Sequence, residues 1–139
     1  MKKLRMIQIP LLALISCLLL GCGSAIELTP EMRVGADKSL TLLDRGNYVG
    51  AWESSATIFK NSVTREDWDT QIGRVRGALG KAKTRTQRDA VNQKDPSNHP
   101  PGEYVLITFE SGFERDDVLE TLVLFRQDKE WLLAGYFIK

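Results

Sequence analysis

Acidic side chains crowd one turn in the C-terminal half of the chain and are its first candidates for chemistry. The turn joins two strand-like segments and holds Glu110, Glu114, Asp116 and Asp117. A carboxylate pair there would allow general acid–base chemistry or bind a hard cation. The acids lack the spacing of a calcium-binding loop, and a charged turn also keeps strand ends soluble. We therefore expect a solvated turn, with no metal site and no catalytic residue.

Histidine and cysteine offer little further chemistry. His99 is the only histidine and lies in a proline-rich segment, and both cysteines, Cys17 and Cys22, lie in an apolar N-terminal stretch. A zinc site with nitrogen and sulfur ligands needs three or four such residues. Serine–histidine–acid catalysis would depend on His99, and no nucleophile-elbow glycine pattern places a serine. We read His99 as a solvated loop residue and expect no enzymatic activity and no cofactor.

The N-terminal stretch is organised like an export signal. Lys2, Lys3 and Arg5 precede an apolar run over 6–20 that is interrupted by a glutamine, a proline and a serine. A transmembrane helix needs about 20 predominantly apolar residues, so this run is short for a permanent span. The run ends in Leu-Leu-Gly-Cys over 19–22, which resembles a lipobox, the processing site of bacterial lipoproteins.

The lipobox resemblance implies a different fate for each cysteine. Cleavage between Gly21 and Cys22 would remove the signal peptide, 1–21, and with it Cys17. A diacylglyceryl group on the Cys22 sulfur would then anchor the mature chain, since each buried methylene contributes about 0.8 kcal/mol. Two alternatives stay open at this point. The leader is an uncleaved signal anchor, or the chain is secreted without lipid. For the two cysteines, the alternative to lipidation is a disulfide or two buried thiols, but Cys17 would leave with a cleaved leader.

Three helices are expected after a lipidated tether over 22–29, at the start of a single domain over 30–139. The hydroxyl of Thr29 and the proline at position 30 begin the first helix, and the hydroxyl of Thr64 begins the third. Glycines end these two helices, and a second helix lies between them, from residue 48 to 59. The apolar residues recur at helical spacing and predict one core-facing stripe on each helix. The stripes are Met32, Ala36, Leu40 and Leu43; Tyr48, Trp52, Ala56 and Phe59; and Trp68, Ile72, Val75 and Leu79.

Strands are expected after the third helix. Residues 81–92 alternate charged and small side chains and predict a polar edge strand, and 93–102, with three prolines, predict a loop. Three further strands follow, joined by turns at Ser111-Gly112 and Asp128-Lys129. They cover 104–109, 118–125 and 131–138. Three helices followed by a curved antiparallel sheet of about four strands predict an α+β fold. This layout resembles the cystatin-like or nuclear-transport-factor-like cone.

The last two strands bear on function because they are apolar on both faces. A single helical layer covers only one face of a sheet, so the second face needs another cover. Sheet curvature with the sheet's own loop, a dimer or protein partner, and an apolar ligand are the three candidates.

Charge is balanced in total but unevenly distributed. The chain has 19 basic and 18 acidic residues, which argues against a nucleic-acid binder. Basic residues are concentrated over 74–94 and acidic residues over 103–130. Cross-strand ion pairs between a basic edge strand and acidic neighbours explain this distribution. The alternative is a basic band that faces anionic lipid or an acidic partner.

Seven short blocks of sequence, taken together, point to a known family. They are 44–48, 51–53, 64–68, 74–80, 102–105, 120–121, and Trp131 with 134–138. In this order the blocks resemble the bacterial domain-of-unknown-function family 4019, from about Ala36 to the C-terminus. The resemblance implies a small exported or lipidated envelope protein with no assigned activity and no catalytic residues to carry over.

We therefore expect a cell-envelope lipoprotein whose domain is a non-catalytic interaction or binding module. Its membrane contact is the lipid on Cys22, and its partner surface, for a homodimer or another protein, is the second sheet face. The alternatives are a small enzyme using acids around Asp116 and Asp117, and a purely structural envelope component. In a Gram-negative cell, Gly23 in place of an aspartate favours the outer membrane, with the domain facing the periplasm.

Overall fold

A computed structural model describes residues 24–139 as four helices and an antiparallel sheet, which confirms the α+β class. The expected signal peptide and its processing site at Gly21 and Cys22 lie outside the described residues. Within 24–139, no helix has the length and apolar character needed to cross a membrane. The elements are β1 (Ser24–Ala25), α1 (Pro30–Asp44), α2 (Tyr48–Glu53), α3 (Thr57–Lys60), α4 (Arg65–Leu79), β2 (Ala82–Lys94), β3 (Glu103–Phe113), β4 (Asp117–Gln127) and β5 (Glu130–Ile138).

Local signals begin and end the long helices where the sequence places them. Thr29 caps α1 by accepting a hydrogen bond from the Met32 N–H at 3.3 Å. Thr64 does the same for α4, with the Asp67 N–H at 3.1 Å. Gly80 ends α4 with a φ of 79°, in the region that favours glycine.

The expected second helix is two short helices, so the count of three is wrong by one. Ser54 and Ser55 end α2 because their hydroxyls donate back to the carbonyls of Gly50 and Trp52, at 2.8 and 2.6 Å. The Ala56 N–H then donates to the Leu133 carbonyl on β5 at 2.8 Å instead of continuing the helix. This contact ties the helical layer to the sheet.

The sheet is open, with strand order β1-β2-β3-β4-β5. The four long strands form the expected antiparallel meander, and Asp128 and Lys129 make the tight turn between β4 and β5 with positive φ values of 50° and 69°. Ser111 and Gly112, expected in a turn, instead lie inside β3 and pair with Val118 and Asp117. Three register shifts interrupt the pairing, at Ala82/Thr84, Gln87/Asp89 and Val123/Leu124.

One face of the sheet forms the core with the helices. The buried strand residues on that face include Val105, Ile107, Leu122, Leu124 and Leu133. Within the predicted helical stripes, Tyr48, Trp52 and Val75 are only half-buried, and Arg76 of α4 is buried next to Val75. Tyr48 and Trp52 still pack against the core.

The predicted tether over 22–29 contributes to the folded domain in its described part. Ser24 and Ala25 pair with Asn92 and Val91 of β2, and Leu28 is buried in the core. The ordered domain therefore includes residues before the expected boundary at residue 30.

Two glycines on different helices give opposite predictions. A Cβ on Gly35 would lie 2.9 Å from the Trp131 Cβ and closer still to the Trp131 carbonyl oxygen, whereas a Cβ on Gly77 meets nothing within 4 Å. We expect Gly35→Ala to lower the free energy of unfolding by about 1–3 kcal/mol through overpacking. Gly77→Ala should raise it by about 0.5–1 kcal/mol through helix propensity. Urea denaturation of both variants checks the prediction, and equal effects would contradict the close contact of α1 with β5.

Candidate functional site

The second face of the sheet carries an apolar surface that the helices do not cover. Side chains alternate along a strand, so those between the core residues of β3, β4 and β5 point away from the helices. They are half-buried, because they shield one another without a layer above them. We call this set the second face, and it comprises Leu106, Leu119, Phe125, Leu132, Ala134 and Phe137.

A glycine, Gly135, lies at the centre of the second face and leaves room for its neighbours. A Cβ on Gly135 would lie 3.2 Å from the Phe137 ring and 3.4 Å from the Val123 side chain. Val123 is buried although it points away from the helices. Gly135 thus lets the Phe137 ring lie close to Val123, which gives a continuous apolar surface across β4 and β5.

The loop between β2 and β3 covers one end of the second face. The Tyr104 hydroxyl donates to the Pro100 carbonyl at 2.7 Å, and the rings of Tyr104 and Phe125 lie 4.9 Å apart. His99 lies in this loop with its ring 6.5 Å from that of Tyr104. The sheet's own loop, one of the three candidate covers, therefore covers the second face at Tyr104 and Phe125.

An open groove of about 510 Å³ lies at the opposite end of the sheet. Its lining is mostly polar and includes residues of β2, β3 and β4 and the C-terminal residue, notably Thr84, Glu110, Gly112, Asp117 and Lys139. Polar walls beside an apolar strip resemble the rim of a protein interface.

The acidic turn residues do not converge on one point. Glu110 lies on β3 and pairs with Arg88 at 3.4 Å, and Glu114 accepts the Lys81 N–H at 2.9 Å. Asp116 accepts the N–H of Asp117 at 2.9 Å, and both are exposed. Among the described residues, no group of three or more histidine, cysteine or acidic side chains could hold a metal ion.

A buried ionic network, which the sequence analysis missed, joins the helices to the sheet. Glu120 of β4 is fully buried and accepts from Arg85 Nε at 2.6 Å and from Arg76 Nη1 at 3.5 Å. Hydroxyl groups of Ser111 and Tyr136 also donate to the Glu120 carboxylate. Its oxygens therefore accept from four side chains on α4, β2, β3 and β5.

Asp44 at the end of α1 closes the network. It lies 2.6 Å from Arg76 Nη2 and 2.9 Å from Arg85 Nη1. Two arginines and two carboxylates leave the network with no net charge, which is the condition under which buried charges are tolerated. The Arg76 guanidinium also lies 4.8 Å from the centre of the Phe113 ring, a cation–π contact.

The network lowers the pKa of both carboxyl groups. Burial would raise the pKa of Glu120, but hydrogen bonds from Arg85, Ser111 and Tyr136 outweigh it and hold this pKa below its usual value of 4.5. Burial and the two arginines act on Asp44 in the same way, and its pKa also lies below its usual value. Burial and the charge of Glu120 raise the pKa of Tyr136, so its hydroxyl remains a donor.

These lowered pKa values predict acid sensitivity. The unfolded chain binds protons to Glu120 at a higher pH than the folded chain does, so the stability contributed by the network is complete above about pH 4.5 and is lost as the pH falls below that value. Urea midpoints measured between about pH 7 and pH 3 should therefore drop on the acidic side. Glu120→Gln, which has no proton to gain, should give a shallower drop. Parallel profiles for the two proteins would contradict the assignment.

Two sequence signals could have revealed the network. Glu120 lies between Val118 and Leu122 on the same face of β4, so it is an acid on an apolar face. Arg76 lies four residues after Ile72 and shares its face of α4. The spacing of Glu120 and of Arg76 predicts that both side chains are buried. Their opposite charges explain how each charge is tolerated in the core.

Cross-strand pairs account for part of the uneven charge. Arg85 and Arg88 of the basic segment pair with Glu120 and Glu110 of the acidic segment. Pairing within the sheet therefore accounts for these two arginines of β2, whereas Arg76 pairs with Glu120 from helix α4.

Comparison with known proteins gives a family and no activity. No curated protein matches the chain. A match to the family described as "protein of unknown function (DUF4019)" covers residues 35–136 and contains the whole ionic network. The chain therefore belongs to this family of proteins of unknown function.

Proposed function

We propose that this chain is a cell-envelope lipoprotein, anchored by lipid on Cys22, whose folded domain is a non-catalytic module that binds a protein through the second face. The observation that carries the binding role is the apolar surface around Phe137, which helices α1 to α4 of the described residues leave uncovered. In a Gram-negative cell the module would face the periplasm from the outer membrane, because Gly23 follows the lipidated cysteine.

The size of the second face favours a transient protein partner. Strands of 11 residues are about 36 Å long, and the three strands that carry the second face are about 10 Å across, so the face offers on the order of 350 Å². Stable complexes bury about 800 Å² on each partner. An apolar strip of this size with polar residues at one end fits a weak or regulated contact with a protein surface.

The ionic network supports a non-catalytic role. Its carboxylates are occupied by arginine and hydroxyl donors, and Glu120 is fully buried. General acid–base catalysis needs a carboxyl group within hydrogen-bond reach of a substrate. The exposed acids Asp116 and Asp117 are solvated on the turn, as expected for charges that keep strand ends soluble.

Photocrosslinking in intact cells tests the binding role. A photoreactive residue in place of Thr108, which lies two residues after Leu106 on the same face of β3, should give one discrete protein adduct, and the same residue in place of the exposed Asp37 on α1 should not. Phe137→Glu should abolish the Thr108 adduct because a charge would have to be desolvated at the contact. Val34→Glu is the matched control, since Val34 is a large apolar side chain that is 68% exposed on the helical side.

The mass and the position of the crosslinked adduct show what the second face binds. An adduct of twice the mass of the chain would identify the partner as a second copy. An adduct that persists with Phe137→Glu, or that forms equally from residue 37, would contradict binding through the second face.

A further inference from the structure

The short strand β1 fixes where the N-terminal end of the chain meets the sheet. Ser24 pairs with Asn92 and Ala25 with Val91, and the Ile26 N–H donates to the Ala90 carbonyl at 2.9 Å. Because the strands are antiparallel, the chain enters β1 from the Lys94 end of β2. That end carries the β2–β3 loop over 95–102.

The chain between this point and the lipid is very short. Two Cα–Cα steps separate Cys22 from Ser24, which is a reach of about 7 Å at most. The loop begins three residues after Asn92, about 10 Å along β2. The opposite end of the sheet is far away, because Ala82 lies ten residues before Asn92, or about 33 Å along the strand.

We propose that β1 pairing makes the β2–β3 loop over 95–102 the membrane-facing end of the domain and directs the groove beside Asp117 and Lys139 away from the bilayer. This inference rests on the proposed lipid anchor at Cys22. The loop over 95–102 therefore faces the same bilayer that holds the lipid anchor.

Tether length, and not charge, holds the loop at the membrane. The residues at this end of the sheet are nearly balanced in charge, and Arg126 already pairs with Glu103 at 3.2 Å. Attraction of basic residues to anionic lipid is worth about 1 kcal/mol for each free cation near the surface, and this end has no basic excess. The remaining charged residues of the strands and turns at this end of the sheet are Lys94, Asp95, Asp128, Lys129 and Glu130, and the acidic Glu31 of α1 lies near Arg126.

Fluorescence quenching of the lipidated full chain in vesicles tests the orientation. Ser97→Cys and Asp116→Cys place a thiol on exposed loops at the two ends of the sheet. Each thiol is unique if Cys17 is removed and Cys22 is alkylated. Nitroxide on the lipid headgroups should quench a fluorophore at residue 97 several-fold more than one at residue 116. The ratio should be the same in phosphatidylcholine vesicles with and without phosphatidylglycerol.

A longer tether provides the control. A Gly/Ser insertion of about 15 residues between Gly23 and Ser24 adds a flexible span of about 20 Å and leaves β1 unchanged. The difference between residues 97 and 116 should then largely disappear. If the difference survives, the loop has its own affinity for lipid and tether length does not impose the orientation.

Two further outcomes distinguish failure of the proposed orientation from failure of the lipid anchor. Equal quenching at both positions in a chain that sediments with vesicles would overturn the orientation and leave the lipid anchor standing. A chain that does not sediment with vesicles would overturn the anchor, and the orientation with it.

Discussion

Glu120→Ala is expected to lower the free energy of unfolding by about 3–5 kcal/mol, because it leaves Arg76 and Arg85 with only the carboxylate of Asp44 between them. Arg76 is only 4% exposed, and Asp44 alone cannot neutralise both arginines of the network. The Ser111 and Tyr136 hydroxyls would lose their acceptor as well. Chemical denaturation followed by tryptophan fluorescence measures the change.

A neighbouring ion pair supplies the control for this prediction. Glu110 of β3 pairs with Arg88 of β2, but both side chains are more than half exposed. Exposed pairs contribute about 0–1 kcal/mol, so Glu110→Ala should change the stability by less than about 1 kcal/mol. If the two alanine variants have similar stability, the network does not hold the helices to the sheet in the way the distances indicate.

Cys22→Ser is expected to abolish both lipid labelling and leader cleavage, because Cys22 supplies the sulfur for the diacylglyceryl group and the residue that follows the cleavage site. Metabolic labelling with a radioactive fatty acid and the apparent mass of the chain measure the two effects. The variant should keep residues 1–21 and remain unlabelled.

Cys17→Ser is the matched control for the anchor. Cys17 lies in the apolar part of the proposed leader and should have no role in processing, so this variant should be labelled and cleaved normally. Loss of labelling in both variants, or in neither, would contradict the anchor at Cys22.

Features that depend on a few neighbouring residues could be predicted from the sequence. The hydroxyl of Thr64 caps a helix from three residues away, and Gly80 ends that helix because its φ is positive. Asp128 and Lys129 form a tight turn for a similarly local reason. These signals, with the apolar periodicity, were sufficient for the α+β class and for the order of the elements.

Features that depend on distant partners could not be predicted. The break between α2 and α3 is stabilised by a hydrogen bond from Ala56 to Leu133, which lies on the last strand. β1 consists of two residues, and only its pairing with β2 makes it a strand. One sequence gives no information about either contact.

One part of the candidate site could be predicted from the sequence, and the other part could not. Apolar residues on both faces of β4 and β5 predicted a second face that needs a cover other than the helices, and the structure places Phe137 and Leu132 there. The ionic network was missed because Arg76 and Glu120 are 44 residues apart, and their pairing requires the packing of α4 on the sheet. The acid on the apolar face of β4 was the available signal.

The mass of the N-terminal tryptic peptide from membrane-extracted chain tests the proposed lipid anchor most directly. The account predicts a peptide over 22–33 that begins at Cys22, carries a diacylglyceryl group on its sulfur and is acylated on its amine. An unmodified peptide beginning at residue 22, or a peptide that retains residues before 22, would contradict the account.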